Sequence, residues 1–226
     1  MFLQLKRVRH YLLSDGKIGK YTFYAVGEIL LVVVGILIAL QVNNQNIKKK
    51  ADLVEAQYYH TMQYQLVKDQ ELLNGEIYGI VERISDYVGG VKLIANGNRE
   101  QPNELAKKVY RLLEYGDFRR NSSVYQTLIF SGEIIHIKNK NIVHNLQELE
   151  RTYQIVERLE ATQANIVMTH TAPIVNEVLD FQSVELVAPD LVFTHSFKNR
   201  FSLAIRLSSE KKQELEHALS VIDKTL

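Results

Sequence analysis

Residues 21–42 read YTFYAVGEILLVVVGILIALQV, and this stretch decides the fold of the chain. Between Ala25 and Leu40 it contains one charged residue, Glu28, and two glycines, and every other residue there is apolar. An α-helix rises about 1.5 Å per residue and the hydrocarbon core of a bilayer is about 30 Å thick, so about 20 residues suffice to cross it. The stretch therefore predicts a transmembrane helix over residues 21–42.

A cleaved secretory signal peptide is the main alternative for this region. The apolar part of a signal peptide runs about 7–15 residues and ends at small residues that suit cleavage. Here the apolar run is longer, and the polar sequence QVNNQN follows it at residues 41–46. We therefore expect the stretch to remain in the protein as an anchor.

The segment before the span, residues 1–20, is a basic arm. Apolar residues recur at helical spacing within MFLQLKRVRHYLL, residues 1–13, and basic residues occupy the rest of the helix surface. This pattern is typical of a short amphipathic helix in the headgroup layer, with its basic face toward anionic lipid; a frayed basic tail is the alternative. The residues expected to contact lipid headgroups are Lys6, Arg7, Arg9, Lys17 and Lys20.

The distribution of positive charge predicts the topology. Lys and Arg favour the cytoplasmic side of a membrane. Five of them precede the span, and three, Lys48 to Lys50, follow soon after it. We expect residues 1–20 to be cytoplasmic and residues 43–226 to lie outside the bacterial inner membrane, in the periplasm of a Gram-negative source.

Glu28 is a carboxylate inside the predicted membrane segment. Ionisable groups in a membrane are costly and are candidates for function by default. Three interpretations stay open: proton-coupled work, contact with a partner helix, or a solvated or neutral structural role. Gly27, Gly35 and Ala39 recur at multiples of four residues and form a stripe of small residues that permits close helix packing.

The sequence GEILLVVVGILIALQVNNQN, residues 27–46, follows a basic arm and a Ser-Asp-Gly-Lys turn. It resembles the N-terminal signature of an uncharacterised family of single-pass bacterial membrane proteins, a domain of unknown function, with a span reading roughly GEI-x-LV-x-x-GI-x-IAL-Q-x-N-N. Residues 121–153 are similar to a later family segment, although an aromatic residue would be expected in the family at Gln45. The resemblance implies a short arm, one span and an α-helical extracytoplasmic part, and it implies no catalytic residues.

Residues 43–226 predict a helical bundle, so the fold class is all-α. Apolar residues alternate by three and four over residues 77–94, which is the pattern of a bundle seam. Further helices are expected from Pro102 to about Gly116, through Phe130, from Asn141 to about His170, over residues 174–181 and along the C-terminal stretch. Residues 133–138 alternate weakly and are expected to form an extended connector, and residues 183–194 a loop.

Composition excludes several classes of function. The chain has no cysteine, which excludes disulfides and thiolate chemistry. Residues 51–226 contain 19 Lys and Arg against 24 Asp and Glu, and no basic face or aromatic-plus-basic module indicates nucleic-acid binding. Phosphate-cradle, nucleophile-elbow and HExxH motifs are missing from the sequence. No cofactor, metal or catalytic residue is therefore predicted.

Four weaker features favour structural roles. His144 and Glu148 share a helix face, but a surface pair is favoured over a metal site because no third ligand is near in sequence. His170 and His195 are interpreted as solvated or capping groups. Arg119 and Arg120, beside residues 121–123, would suit an anion at a helix start. The tyrosines expected to pack in the core are Tyr58, Tyr59, Tyr64 and Tyr87.

The sequence thus predicts a membrane-anchored, non-enzymatic interaction or scaffold protein that binds itself or another membrane or periplasmic protein. The alternative hypothesis is a sensing or energy-coupling subunit that acts through Glu28 with a multi-span partner. An enzyme assembled from distant histidines and carboxylates is the least favoured alternative, because no motif of the required geometry is visible.

Overall fold

The computed structural model describes residues 17–116, 118–120 and 124–226, and it is all-α apart from one two-residue strand pair. Contacts within the chain define two compact units, residues 1–56 and 57–226. The helices of the described residues are α1 (Lys17–Ala95), α2 (Pro102–Arg111), α3 (Val124–Phe130), a 3₁₀ turn (Glu133–His136), α4 (Lys140–Ile166), a π-helical turn (Val167–Thr171), α5 (Ala172–Val178), α6 (Pro189–Val192) and α7 (His195–Thr225).

The first unit contains the apolar part of α1. Side chains from Ala25 to Lys50 are all exposed. Of the helices that the structure describes, α1 is the one long and apolar enough to cross a membrane. No residue of its most apolar stretch is buried. The structure therefore confirms a long apolar helix over residues 21–42, and passage through a membrane stays a prediction.

In the second unit, α1, α4 and α7 share one apolar core. Helices α4 and α7 contribute buried residues three or four positions apart, and α1 contributes them seven apart, because each helix presents a single apolar face. The seam predicted over residues 77–94 belongs to this arrangement: Ile80 and Tyr87 are buried, and Ile77 and Ile84 pack against the core from its edge. The buried residues of the shared core are Leu66, Leu73, Ile80, Leu149, Tyr153, Val156, Leu215, Ala218, Val221 and Ile222.

Two further apolar clusters lie along the second unit. One joins Tyr87 to α2, α5 and the start of α7. It buries Leu105 and Val109 of α2 and Leu112 directly after it, together with Phe197 and Phe201. The other joins Met62 to Leu128, Ile137 and Leu146. The short helices α2, α3 and α5 thus cover the ends of a three-helix core.

Glycines do not interrupt α1, which continues through Gly75 and Gly90 to Ala95. A Cβ atom added at Gly90 would lie 2.6 Å from ring atoms of Phe201, so the glycine allows α1 and α7 to approach closely. A Cβ added at Gly75 would meet nothing within 4 Å among the described residues. Packing within a bundle, as the sequence predicted, explains Gly90 but not Gly75.

The prediction of an extended connector over residues 133–138 is wrong. The chain forms the 3₁₀ turn Glu133–His136 after Gly132, whose φ of 72° is in the left-handed region. Ile134 is half-buried and Ile135 is 77 % exposed, whereas Ile137 is fully buried. The weak alternation in the sequence therefore reflects a turn in which Ile134 and Ile137 face the core and Ile135 faces solvent.

The strands lie elsewhere, in a region predicted as helix and loop. Leu179–Asp180 (β1) pairs antiparallel with Glu185–Leu186 (β2), with Leu179 opposite Leu186. The Asp180 carboxylate accepts hydrogen bonds from the amides of Gln182, at 2.7 Å, and Ser183, at 3.1 Å. These bonds lower the pKa of Asp180 and form an Asx turn, which explains why helix α5 ends at Val178 and not at residue 181.

Two other helix ends differ from the prediction. Helix α2 ends at Arg111, five residues before Gly116. Helix α4 ends at Ile166, and the chain then forms the π-helical turn before entering α5, which has Pro173 in its first turn. Proline cannot donate the backbone hydrogen bond of a helix interior, and a wider turn before it accommodates the missing bond.

Candidate functional site

Glu28 and the predicted helix-packing residues lie on the exposed part of α1. Glu28 and Ala39 are exposed, and Cβ atoms added at Gly27 or Gly35 would meet nothing within 4 Å in the described residues of a single copy. Lys17 and Lys20 lie in the first turns of α1, and the arm residues Lys6, Arg7 and Arg9 lie outside the described residues. The lipid-contact and helix-packing roles therefore stay predictions.

The second unit contains a buried ion network that the sequence reasoning missed. Lys211 on α7 is 2 % exposed, and its Nζ lies 2.9 Å from Glu76 Oε1 of α1 and 2.5 Å from Glu160 Oε1 of α4. Arg83 Nη2 also contacts Glu76 Oε1, at 2.9 Å. Two cations and two carboxylates thus neutralise one another inside the bundle.

The network includes the backbone of the loop that follows α2. The amide of Phe118 donates a hydrogen bond of 2.8 Å to Glu160 Oε1. A Cβ at Gly116 would collide with Lys211 Nζ and lie 2.6 Å from Glu76 Oε1. The loop therefore approaches the charges closely because residue 116 has no side chain. Helical spacing was the missed signal, since Lys211 lies four residues before Leu215 on the buried face of α7.

Arg120, which the sequence suggested only weakly as part of an anion site, is already paired with carboxylates. Its Nη1 lies 2.6 Å from Glu150 Oε2, and its Nη2 lies 3.4 Å from Glu157 Oε1. The guanidinium also lies over the Tyr153 ring, 5.3 Å from its centroid. Arg119 likewise has an interaction of its own. These carboxylates take the place of the expected anion.

The tyrosines divide between core and surface. Tyr87 and Tyr153 are buried, and Tyr58 and Tyr59 pack partly against the Met62 cluster, whereas Tyr64 is 64 % exposed. The Tyr153 hydroxyl donates a 3.0 Å hydrogen bond to Asp69. Burial and the Asp69 charge raise the pKa of Tyr153. Core packing is confirmed for three of the four predicted tyrosines, Tyr58, Tyr59 and Tyr87, and the prediction is wrong for Tyr64, which faces solvent.

The histidine pairs behave as surface groups in the structure. Glu148 contacts His217 on α7 at 3.0 Å, so its partner lies on another helix. His170 and His195 are both exposed, and His195 Nδ1 lies 3.3 Å from Asn199 Nδ2. Among the described residues, no three histidine, aspartate or glutamate side chains gather in a metal-binding group. The expectation of a metal-free, cofactor-free protein stays a prediction.

A cavity of about 170 Å³ lies between α1, α4, the π-helical turn and α7. Its floor is buried and includes Tyr87, Leu112 and Gln163, while His170 and Leu203 are exposed at its rim. Most of its walls are apolar. The residues that line it are Tyr87, Leu112, Glu114, Gln163, Ile166, Val167, His170, Thr171, Arg200, Leu203, Ala204 and Leu207.

Three polar groups of the cavity have distinct environments. The Tyr87 hydroxyl donates to the carbonyl of Arg111 at 3.1 Å, and burial raises the pKa of Tyr87 to about 12. Glu114 is paired with Arg111 at 2.7 Å. Arg200 Nη1 donates to the carbonyl of His170, in the π-helical turn, at 2.8 Å, while its buried Nε has no acceptor among the described residues.

Comparison of the chain with protein-family models, curated proteins and solved structures finds no match. The resemblance of residues 27–46 to a membrane-protein family therefore stays a prediction. The described residues thus combine an exposed apolar helix, a largely α-helical second unit with a buried ion network, and a small cavity at a π-helical turn.

Proposed function

We propose that this chain is a single-pass inner-membrane protein, anchored by residues 21–42, whose helical residues 43–226 lie in the periplasm. It works by binding, not by catalysis, and its partner is another protein or a second copy of itself. Residues 1–20 remain in the cytoplasm and contact lipid headgroups. The exposed, uninterrupted apolar stretch of α1 supports the anchor.

The observation that carries the binding role is an exposed aromatic face on the bundle part of α1. Tyr64 is 64 % exposed and Tyr78 is 66 % exposed. Val67 lies three residues after Tyr64, and Val81 lies three residues after Tyr78. Positions three and fourteen residues apart lie on the same side of an α-helix. Tyrosine supplies large contact area with a polar tip and is enriched at protein interfaces. This set is called the Tyr64–Tyr78 face below.

The charged groups of the second unit support a binding role over a catalytic one. Lys211, Arg120 and Glu160 all contact opposite charges or backbone groups within the bundle. These charged groups are thus engaged within the bundle and are not directed at a substrate.

The native mass of the full-length protein, extracted gently from its own membranes through a C-terminal tag, tests this proposal. We expect a homo-oligomer or a stoichiometric complex with a second protein. The double variant Tyr64→Lys and Tyr78→Lys should lower that mass, because two charges at an interface core oppose association. The control is Gln213→Lys, which places a charge at an exposed position on α7. A wild-type monomer contradicts the proposal.

A second candidate function, energy coupling or sensing, rests on Glu28. This carboxylate is exposed on the apolar helix of a single copy, where only a partner, a lipid interface or a proton can compensate its charge. The variant Glu28→Gln keeps the shape and removes the charge. Coupling predicts a lost phenotype with intact membrane insertion, and an unchanged assembly and phenotype contradicts it.

A further inference from the structure

The cavity at the π-helical turn has no role in the proposed protein–protein binding. We propose that it binds a small carboxylic acid with an apolar body, held through the Arg200 guanidinium. The site lies wholly within the second unit and shares no lining residue with the Tyr64–Tyr78 face or the membrane anchor.

The size of the cavity limits the ligand. An apolar cavity of about 150 Å³ in another protein accepts a benzene ring, and this cavity measures about 170 Å³. Its apolar walls include Leu112, Ile166, Val167 and Leu203. The body of the ligand is therefore a short alkyl chain or one ring, and larger metabolites are excluded from complete burial.

The free side of Arg200 specifies the charged end of the ligand. An arginine binds a carboxylate side-on through Nε and Nη2, which point in the same direction. Here Nη1 is used by the His170 carbonyl, while Nε is buried and has no acceptor within the described part of the chain. A carboxylate in the cavity accepts from Nη2, and a small shift of the side chains that cover Nε lets its second oxygen supply the missing acceptor without breaking the bond to His170.

The π-helical turn makes this arrangement possible. In a π-helical turn the hydrogen bonds run from residue i to i+5, so the turn is wider than its α-helical neighbours, and such turns are frequent at functional sites. The carbonyl of His170, within that turn, accepts from Arg200 and fixes the guanidinium beside the apolar walls. The same segment therefore forms one wall of the cavity and orients its cation.

The other charge at the cavity favours a ligand with one negative charge. Glu114 lines the cavity, and its carboxylate is paired with Arg111, which in turn contacts Asp86 at 3.1 Å. Arg200 has no carboxylate partner among its hydrogen bonds. One free guanidinium fork among apolar walls matches a monocarboxylate, whereas a phosphate or sulfate dianion requires more donors than this cavity offers.

Isothermal titration calorimetry on the full-length protein in neutral detergent tests the proposal, with sodium hexanoate as the probe and empty micelles as the blank. Phenylacetate and L-leucine test a ring and an added ammonium group. We expect saturable hexanoate binding, and binding of hexanamide at least about tenfold weaker, because a charge-assisted bidentate contact is lost.

Three variants test the residues. Arg200→Gln should weaken hexanoate binding at least about tenfold, and Arg206→Gln, an exposed arginine on the same helix, should leave it unchanged. Ala204→Leu keeps Arg200 and places three further carbon atoms in the cavity, so it should abolish binding, while the thermal midpoint stays at or above that of the wild type because cavity-filling changes commonly stabilise. This variant separates ligand loss from unfolding.

Several results overturn the proposal. If hexanamide binds as tightly as hexanoate, the ligand's charge does not contribute to binding. If Arg200→Gln or Ala204→Leu leaves hexanoate binding unchanged, hexanoate does not bind in this cavity. The proposal is also overturned if none of hexanoate, phenylacetate and L-leucine shows saturable binding up to about 10 mM, since this limit corresponds to negligible affinity. A wild-type monomer in the native-mass experiment contradicts the proposed function alone and leaves these results intact.

Discussion

Lys211 Nζ lies 2.9 Å from Glu76 Oε1, so α7 contacts α1 through two residues that are 135 positions apart in sequence. Glu160, on the third helix of the core, also contacts Lys211 Nζ. Burying a single charge costs several kcal/mol unless opposite charges and hydrogen bonds compensate it. The three helices α1, α4 and α7 therefore meet in one register, because any slip separates these charges.

The first prediction concerns the centre of this network. Lys211→Met should destabilise the protein by about 3–5 kcal/mol, because Glu76 and Glu160 lose their shared buried cation. The matched control is Lys212→Met, which removes only a partly exposed pair with Glu216 and should cost less than about 1 kcal/mol. Urea denaturation of the full-length protein in detergent measures both. Equal losses in the two variants would contradict a structural role for the network.

The second prediction compares two glycines of α1. Gly90→Ala should destabilise the protein by about 1–3 kcal/mol, because the added methyl group overlaps the Phe201 ring. Gly75→Ala should stabilise it by about 0.5–1 kcal/mol, because alanine has the higher helix propensity and the site is open. Thermal unfolding followed by circular dichroism gives both changes, and the same sign in both variants would sink the prediction.

The third prediction concerns alkaline pH. The pKa of Tyr87 rises from 10.0 to about 12 on burial, so the unfolded chain releases this proton first. Stability linked to Tyr87 is therefore complete below about pH 10 and is lost as pH rises toward 12, by about 2–3 kcal/mol in all. Tyr87→Phe should show a shallower fall of the denaturation midpoint above pH 10. Identical pH profiles for wild type and variant would contradict this assignment.

The fourth prediction concerns the small-residue stripe. If a second copy packs on Gly27, Gly35 and Ala39, Gly35→Ile should lower the native mass of the extracted protein, since a larger side chain separates the helix backbones. Val33→Ile changes the size of a neighbouring side chain off the stripe and is the control. If the Gly35→Ile variant forms oligomers of unchanged mass, the prediction is contradicted and the contact between copies lies outside this stripe.

The sequence was sufficient to predict the parts of the fold that depend on periodicity. The apolar stretch of residues 21–42 and the spacing of Leu146, Leu149 and Tyr153 correctly predicted helices, because helix faces repeat within a few residues. The strands β1 and β2 were missed because two residues are too short for any alternation, and the Asx turn at Asp180 decides them.

The candidate sites depend on tertiary contacts that spacing alone does not contain. The Lys211 network joins residues from three helices, and the cavity joins Tyr87 to Arg200 across half the length of the chain. Lys211 had a local signal in its position on the apolar face of α7, but Arg200 had none. Its free Nε becomes visible only when the His170 carbonyl is seen to occupy Nη1.

The π-helical turn at Val167–Thr171 also has a consequence for how this chain tolerates changes in length. A π-helical turn accommodates one residue more than the α-helical turn it replaces. Deleting one residue there would restore a regular helix and rotate α5 relative to α4, withdrawing the His170 carbonyl from Arg200. The number of residues in this turn is thus matched to the single contact between the His170 carbonyl and Arg200.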